Sequence, residues 1–312
     1  MTQTLPAVSV LLPVYNGGAF FAKAVESILA QTFADFELLI VDDGSTDRSG
    51  AIAEDFSRRD ARVHVTRREN RGLVATLNEL VGTARGALLA RMDADDIALP
   101  ERLQRQVDYL REHGDVVCVG AGQILIDERD RKITQIHAPV DDARIQDLAL
   151  HGAGSICHPT AMIRADAIRA TDGYRKAYYP AEDLDLWLRL GELGKLGNIA
   201  EPLLLYRVHS GSISGQAAQT RQRDAARRAC VDAWERRGLV GMDFRDSAGW
   251  RGGDDPTARL RYLIQCGWMA FNAGFGETAV AYAFKSIRQA PTSREAWQLL
   301  GISTFKRAGP PR

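Results

Sequence analysis

The sequence predicts an α/β fold: a mainly parallel sheet flanked by helices over residues 1–217, then an all-α extension over residues 218–312. Three observations carry this. Through the first hundred residues, short β-rich apolar runs alternate with apolar residues at helical spacing. The loops after those runs are polar, and two are acidic, as expected at the ligand edge of an open parallel sheet. From about Gln219 onward only helical spacing is found.

Taken in order, Val8 to Val14 is an apolar strand, and Phe20, Ala24, Ile28 and Leu29 mark a helix. Phe36 to Val41 is a second strand. It runs into Asp42-Asp43-Gly44-Ser45, where Ser45 is the candidate N-cap of a helix through Ile52, Ala53 and Phe56. Val63 and Val65 mark a short third strand, and Leu73, Leu77, Leu80 and Val81 a third helical face. Ala87 to Met92 is a fourth strand, and Pro100 opens a helix through Leu103, Val107 and Leu110. The pattern then loosens. Val116 to Ile126 pairs as a hairpin with Lys132 to Ile136, Ala143 to Leu150 is a short helix, and Leu184 to Leu188 is a further one. Leu203 to Val208 is a strand. In the tail, a helix over Ala258 to Ala273 breaks at Gly274-Phe275-Gly276. A second follows through Ala279, Ala283 and Ile287, and a third over Arg294 to Phe305. Helix, glycine turn, helix and proline resemble a tetratricopeptide-type unit, which cannot bury its own face. The tail therefore docks on its own chain as a cap, on a second copy, or on a protein partner.

Composition limits the function classes. Forty basic and forty acidic side chains give a formal net charge of zero, so no global field draws a nucleic acid. No apolar run reaches the length of a membrane span, and residues 1–6 lack the pattern of a secretory signal. Cys118, Cys157, Cys230 and Cys266 form no short-spaced pair and read as buried, reduced thiols. A cytoplasmic protein is expected, with peripheral contact at the cytoplasmic face of a membrane left open.

The chemistry sits in two acid clusters, Asp93-Ala94-Asp95-Asp96 at the end of the fourth strand and Glu182-Asp183 at a helix start. Three acids in four residues repel one another unless a cation lies among them. A divalent ion holding a diphosphate satisfies them, since hard cations take oxygen ligands. The bland reading is a solvated acidic turn. For Asp183 the bland reading is an acid in the first turn of a helix.

Five motifs occur in order: Pro13-Val14-Tyr15-Asn16, Val41-Asp42-Asp43-Gly44-Ser45-Thr46-Asp47, Asn70-Arg71-Gly72, Met92-Asp93-Ala94-Asp95-Asp96 and Ala181-Glu182-Asp183-Leu184-Asp185-Leu186-Trp187. Each alone is weak. Together, over about residues 7 to 212, they resemble family 2 glycosyltransferases with the GT-A fold. The resemblance implies transfer of a sugar from a nucleotide-diphosphate donor (UDP-, dTDP- or GDP-linked) to a hydroxyl of a sugar or lipid-linked acceptor. Inversion at the anomeric carbon and dependence on Mn2+ or Mg2+ are implied too. By resemblance Asp95 is a metal ligand and Asp93 meets ribose or donor-sugar hydroxyls. Asp183 is the catalytic base, with Glu182 and His158 on the acceptor side. Pro13, Tyr15, Asp42, Asp43 and Arg71 hold the nucleoside. His209, closing the Leu205 to Ser210 segment, takes a metal or diphosphate role. Arg207 pairs with the diphosphate or, equally, forms a surface ion pair. Asp47 is expected to stabilise its helix start, Asp185 its helix, and Trp187 the core. The resemblance places the activity in polysaccharide or glycoconjugate synthesis. The rival readings are a nucleotidyltransferase and a catalytically silent nucleotide-binding scaffold. The first is disfavoured because the loop from Tyr15 to Phe20 lacks the basic residues that cradle a triphosphate.

Overall fold

A computed structural model describes residues 5–209, 216–245 and 255–305. Two compact units are present. Unit 1 comprises Met1–Gln123, His137–Leu205 and Gln222–Ser247, and unit 2 comprises Ile124–Ile136, Tyr206–Arg221 and Ala248–Arg312.

Unit 1 is built on β1 (Val8–Val14), β2 (Phe36–Asp42), β3 (Val63–Arg67), β4 (Leu88–Arg91), β5 (Ile97–Ala98), the first part of β6 (Val116–Ile126), β8 (Met162–Arg164) and most of β9 (Lys195–Arg207). Its strand order is β3-β2-β1-β4-β8-β6-β9-β5. β1 pairs in parallel with β2 and β4, and β2 with β3. β4 to β8, β8 to β6 and β9 to β5 are antiparallel. The parallel expectation therefore describes the first four neighbours, and the sheet is mixed beyond β4. The parallel half follows from its crossovers: α1 (Phe21–Leu29), α2 (Ser49–Arg59) and α3 (Leu73–Thr83) each return the chain to start the next strand on the same side.

β1 and β2 are buried along their whole length, as strands covered on both faces must be. One face carries Leu11, Leu39 and Val41 against Val74, Leu77 and Leu80 of α3 and Leu186, Trp187 and Leu190 of α7 (Glu182–Leu190). Trp187 is thus core, as expected, and is 1% exposed. Asp185 is fully buried and holds Arg175 and Arg189, with Arg189 Nη2 at 2.7 Å, which fits its expected structural role. Two local expectations change. Ser45 does not cap α2. Its N–H donates to Asp42 Oδ1 and its hydroxyl accepts from Asn16 N–H, so it belongs to the preceding loop, and α2 starts at Ser49, whose N–H meets Asp47 Oδ1 at 2.9 Å. Helices α4 (Arg102–Glu112) and α5 (Asp142–Leu150) stand where helical spacing predicts them, whereas the short β8 and α6 (Ala165–Ala170) stand where no periodicity signalled an element.

A single cut at residue 217 does not describe the units. α8 (Gln216–Arg236) sends Ala225, Ala229 and Ala233 into a cluster with Leu184 and Leu188 of α7, so most of it belongs to unit 1. Unit 2 gathers the end of β6, β7 (Lys132–Ile136), α9 (Pro256–Asn272), α10 (Gly276–Gln289) and α11 (Arg294–Phe305). Leu125 and Ile133 pack there with Leu263, Cys266 and Tyr282. Leu263, Cys266 and Tyr282 of the tail are therefore covered within their own unit, by the hairpin, while Phe284 and Trp297 stay exposed. Truncation after residue 254 would leave Leu125 and Ile133 facing water. The truncated chain is expected to aggregate or to lose urea midpoint. A monodisperse product with an unchanged midpoint would contradict this packing. All four cysteines are free thiols, and Cys118, Cys230 and Cys266 are buried. No helix among the described residues is long and apolar enough to cross a membrane.

Candidate active site

The loops that end β1 and β2 are clamped to each other. Asn16 sits at φ 52°, and its side-chain oxygen accepts from Thr46 N–H at 2.8 Å. Gly17 N–H donates to Ser49 Oγ, and Gly18 N–H to Asp47 Oδ2, both at 2.9 Å. Asp47 thus supports the helix start and also the neighbouring loop. Pro13 is buried in register with Val41, while the Tyr15 ring is 55% exposed at the mouth of the loop. An exposed aromatic ring on a fixed loop is a platform on which a base can stack.

Asp42 and Asp43 are both buried, and both are engaged by the chain. Asp42 accepts from Ser45 N–H at 2.9 Å and from Arg67 Nε at 3.2 Å. Asp43 takes Arg71 N–H at 2.8 Å, Gly72 N–H at 2.9 Å and the Arg68 guanidinium. These carboxylates shape the loop, and Asp43 holds the backbone of Arg71 so that the Arg71 side chain is exposed beside it. Pro13, Tyr15, Asp42, Asp43 and Arg71 therefore come together at the carboxyl end of the parallel strands, where open α/β sheets bind ligands.

The next loop along that edge carries the acid cluster. One carboxylate oxygen from each of Asp93, Asp95 and Asp96 lies within 4.8 Å of the others. Three hard oxygen donors at that spacing suit Mn2+ or Mg2+. Two buried arginines back the cluster. Arg91, 3% exposed, places Nη1 2.6 Å from Asp93 Oδ1. Arg102, fully buried, donates from Nη2 to the Arg91 carbonyl at 2.6 Å. Burial pushes the Arg102 guanidinium down to about 10, against the pull of Asp96 and Asp93.

Glu182 and Asp183 join this centre. Burial pushes the Asp183 carboxyl above the usual aspartate range. The Leu184 N–H at 2.8 Å and the charge of Arg91 pull it down, and Asp93 pushes it up again. Asp183 and Asp93 are ninety residues apart in sequence and feel each other's charge. Burial and then Asp183 raise Glu182 to about 7, and its Oε2 has no hydrogen-bond partner among the described residues. His158 lies on the same floor: its Nε2 is 2.9 Å from the Tyr174 hydroxyl, and its ring meets Trp187 edge-on at 5.8 Å. Burial and Arg91 depress the imidazole well below its ordinary value, so it is neutral near pH 7.

The Glu182 shift has a stability consequence. Between its ordinary value of 4.5 and about 7, the folded chain keeps a proton that the unfolded chain has released. Stability therefore falls as pH rises through that window. In Glu182→Gln this contribution vanishes. Relative to wild type, the variant is expected to gain roughly 1–3 kcal/mol between pH 4.5 and 7.5. Urea unfolding across that range checks it, and parallel curves would refute the assignment.

The sequence model of the family described as Glycosyl transferase family 2 matches residues 9–171. The chain belongs to this family. It is 36% identical over 212 residues to the putative glycosyltransferase EpsE of Bacillus subtilis (strain 168), covering 66% of this chain and 74% of that one. It is 33% identical over 219 residues to the O-antigen biosynthesis glycosyltransferase WbnJ of Escherichia coli, covering 69% and 85%. Two solved structures share the fold. The mannosyltransferase PcManGT from Pyrobaculum calidifontis, in complex with GDP-Man and Mn2+, gives a TM-score of 0.52 at 16% identity over 97% of this chain and 80% of that one. S. aureus TarS 1-349 in complex with UDP-GlcNAc gives 0.54 at 16% over 93% and 91%. This glycosyltransferase therefore has the GT-A-type architecture, with a mixed sheet, flanking helices and a helical extension.

Not every expected residue joins the acid cluster in unit 1. Arg207 lies in unit 2, fully buried, with Nη1 donating to the Asp127 carbonyl at 2.9 Å and lying 2.6 Å from Asp130. An ion pair is on view, but a buried one and not the surface pair expected. His209 also falls in unit 2, at the end of the described stretch after β9. Arg68, Arg91, Arg102 and Tyr174 were not anticipated. The available signal was arginine inside apolar stretches: Arg91 stands between Ala90 and Met92, and Arg102 beside Leu103. A cation in such a place is buried only with partners.

Proposed function

We propose that this family 2 enzyme moves a sugar from a nucleoside diphosphate to an acceptor hydroxyl in one inverting displacement that depends on a divalent metal. The observation that carries this reading is the convergence of Asp93–Asp96 and Glu182-Asp183 around Arg91. A leaving diphosphate needs charge neutralised on one side of the sugar, and an incoming hydroxyl needs a base on the other.

Asp95, Asp93 and Asp96 are the residues to hold Mn2+ or Mg2+, with Asp95 the principal ligand. A bound divalent ion would neutralise charge growing on the diphosphate as the glycosidic bond breaks. Asp93 additionally meets ribose or sugar hydroxyls. Tyr15 and Pro13 flank the base, Arg71 lies beside it, and Asp42 and Asp43 act through the loop they hold. Asp183 takes the proton of the acceptor hydroxyl as its oxygen attacks the anomeric carbon. Burial raises the Asp183 carboxyl above its ordinary value against the Leu184 N–H and Arg91, and a raised carboxylate is a stronger base. Glu182 and His158 border the acceptor side. His158, being neutral, can accept or donate one hydrogen bond without adding charge.

PcManGT bound to GDP-Man and TarS bound to UDP-GlcNAc support a GDP- or UDP-linked donor, and the name of WbnJ supports an acceptor in polysaccharide or glycoconjugate synthesis. A lipid-linked acceptor would bring the chain to the cytoplasmic face of a membrane. Covering of the tail by its own hairpin favours a cap over a docking module.

Thermal shift with UDP-, GDP- and dTDP-sugars, with and without Mn2+, tests the reading. One donor class is expected to raise the melting temperature, and only with metal present. Stabilisation by nucleoside triphosphates alone would favour nucleotidyl transfer instead. Stabilisation by donors without any turnover would favour the silent scaffold.

A further inference from the structure

We propose that Arg91 is a positioning residue that serves as the acid cluster's own cation, keeping Asp93 engaged until a divalent metal arrives together with a nucleoside diphosphate. The inference rests on the metal-dependent reading above and adds the order in which the site fills.

The placement is tight. Arg91 closes β4 in register with Leu11, its N–H donates to the Ala161 carbonyl at 2.8 Å, and its own carbonyl is taken by Arg102. The backbone therefore cannot drift. The side chain is 3% exposed, with Nη1 2.6 Å from Asp93 Oδ1, and its Nε has no hydrogen-bond partner among the described residues. A guanidinium does not deprotonate in proteins, so this is a permanent positive charge. It acts on both acid motifs: Asp93 and Asp96 from the loop after β4, Glu182 and Asp183 from the start of α7.

Two consequences follow from electrostatics. A bare metal ion must compete with Arg91 for Asp93 and sit close to a like charge, which weakens its binding. A metal that carries a diphosphate brings anionic oxygens. These accept the guanidinium donors released from Asp93, in the planar geometry arginine offers to phosphate. Metal and nucleotide then strengthen each other's binding by the same factor. The site stays poorly loaded with metal alone and closes its charge balance when the donor is present.

The test uses the full chain and direct titration with Mn2+ alone, followed by free-ion electron paramagnetic resonance, then Mn2+ with UDP or GDP. Arg91→Met is expected to bind Mn2+ alone about tenfold or more tightly than wild type, and to lose most of the added affinity that UDP or GDP confers. Arg91→Lys, which keeps the charge but not the planar fork, is expected to bind Mn2+ alone as weakly as wild type and to keep only part of the added affinity that UDP or GDP confers. Arg91→Gln, which keeps polar donors and loses only the charge, carries the same expectation as Arg91→Met should that variant fail to fold. Equal Mn2+ affinity in wild type and the neutral variants, or weaker affinity in the neutral variants, overturns the proposal while leaving the metal reading intact. Absence of Mn2+ binding in wild type, both alone and with UDP and GDP, overturns both.

Discussion

Asp183→Asn is expected to lower sugar transfer by roughly 10²-fold or more while leaving donor affinity nearly unchanged. Asparagine keeps the shape of aspartate and can still receive the Leu184 N–H that Asp183 Oδ1 accepts at 2.8 Å. The start of α7 should therefore hold, and Glu182, Leu186 and Trp187 should stay in place. What the amide cannot do is accept the acceptor's proton. The loss should fall on turnover rather than on donor binding, since the substitution removes an interaction needed only as the hydroxyl attacks. Single-turnover transfer alongside calorimetric donor titration separates the two. A variant with wild-type turnover would return Asp183 to a first-turn acid stabilising a helix.

Asp95→Ala is expected to remove most metal-dependent donor binding and to cut turnover by roughly 10²–10³-fold, the scale for losing a preorganised group facing developing charge. The three carboxylates of the cluster do not stand alike. Asp93 is paired with Arg91 and Asp96 is 2% exposed, whereas Asp95 is half-buried in the same 4.8 Å group. Titration of UDP or GDP with and without Mn2+ reads the effect. Unchanged metal-dependent affinity in the variant would move the ligand role to Asp93 or Asp96.

The parallel half of the sheet and both acid motifs were legible because their signals are local. β1 and β2 are uninterrupted apolar runs, and each ends in a polar loop that the chain must place at the carboxyl edge. β5 and β8, with two and three residues, carry no period to read, so the strands that join β4 to β6 and flank β9 were missed, although the β6–β7 hairpin and the end of β9 were legible. The capping role given to Ser45 failed for a related reason. A serine before a helix looks like an N-cap, but Asp42 and Asn16 compete for it, and only the folded loop shows which wins. The deeper omission is Arg91. The acid cluster reads as needing a divalent cation, yet Asp93 is already paired from inside with Arg91, a residue that sequence alone assigns to a strand. Asp43 teaches the same lesson in reverse. Asp43 is expected to bond a base or ribose, yet its oxygens receive Arg68 and the N–H groups of Arg71 and Gly72.

The central claim is that one metal-dependent inverting displacement joins the Asp93–Asp96 and Glu182-Asp183 motifs in a single reaction. Proton and phosphorus NMR of the full chain, with Mg2+, an acceptor and the donor selected by thermal shift, tests it most directly. The account predicts nucleoside diphosphate as the released product, an anomeric configuration opposite to that of the donor, and loss of both signals on chelation of the metal. Retained configuration, release of pyrophosphate, or full turnover in chelator would contradict it.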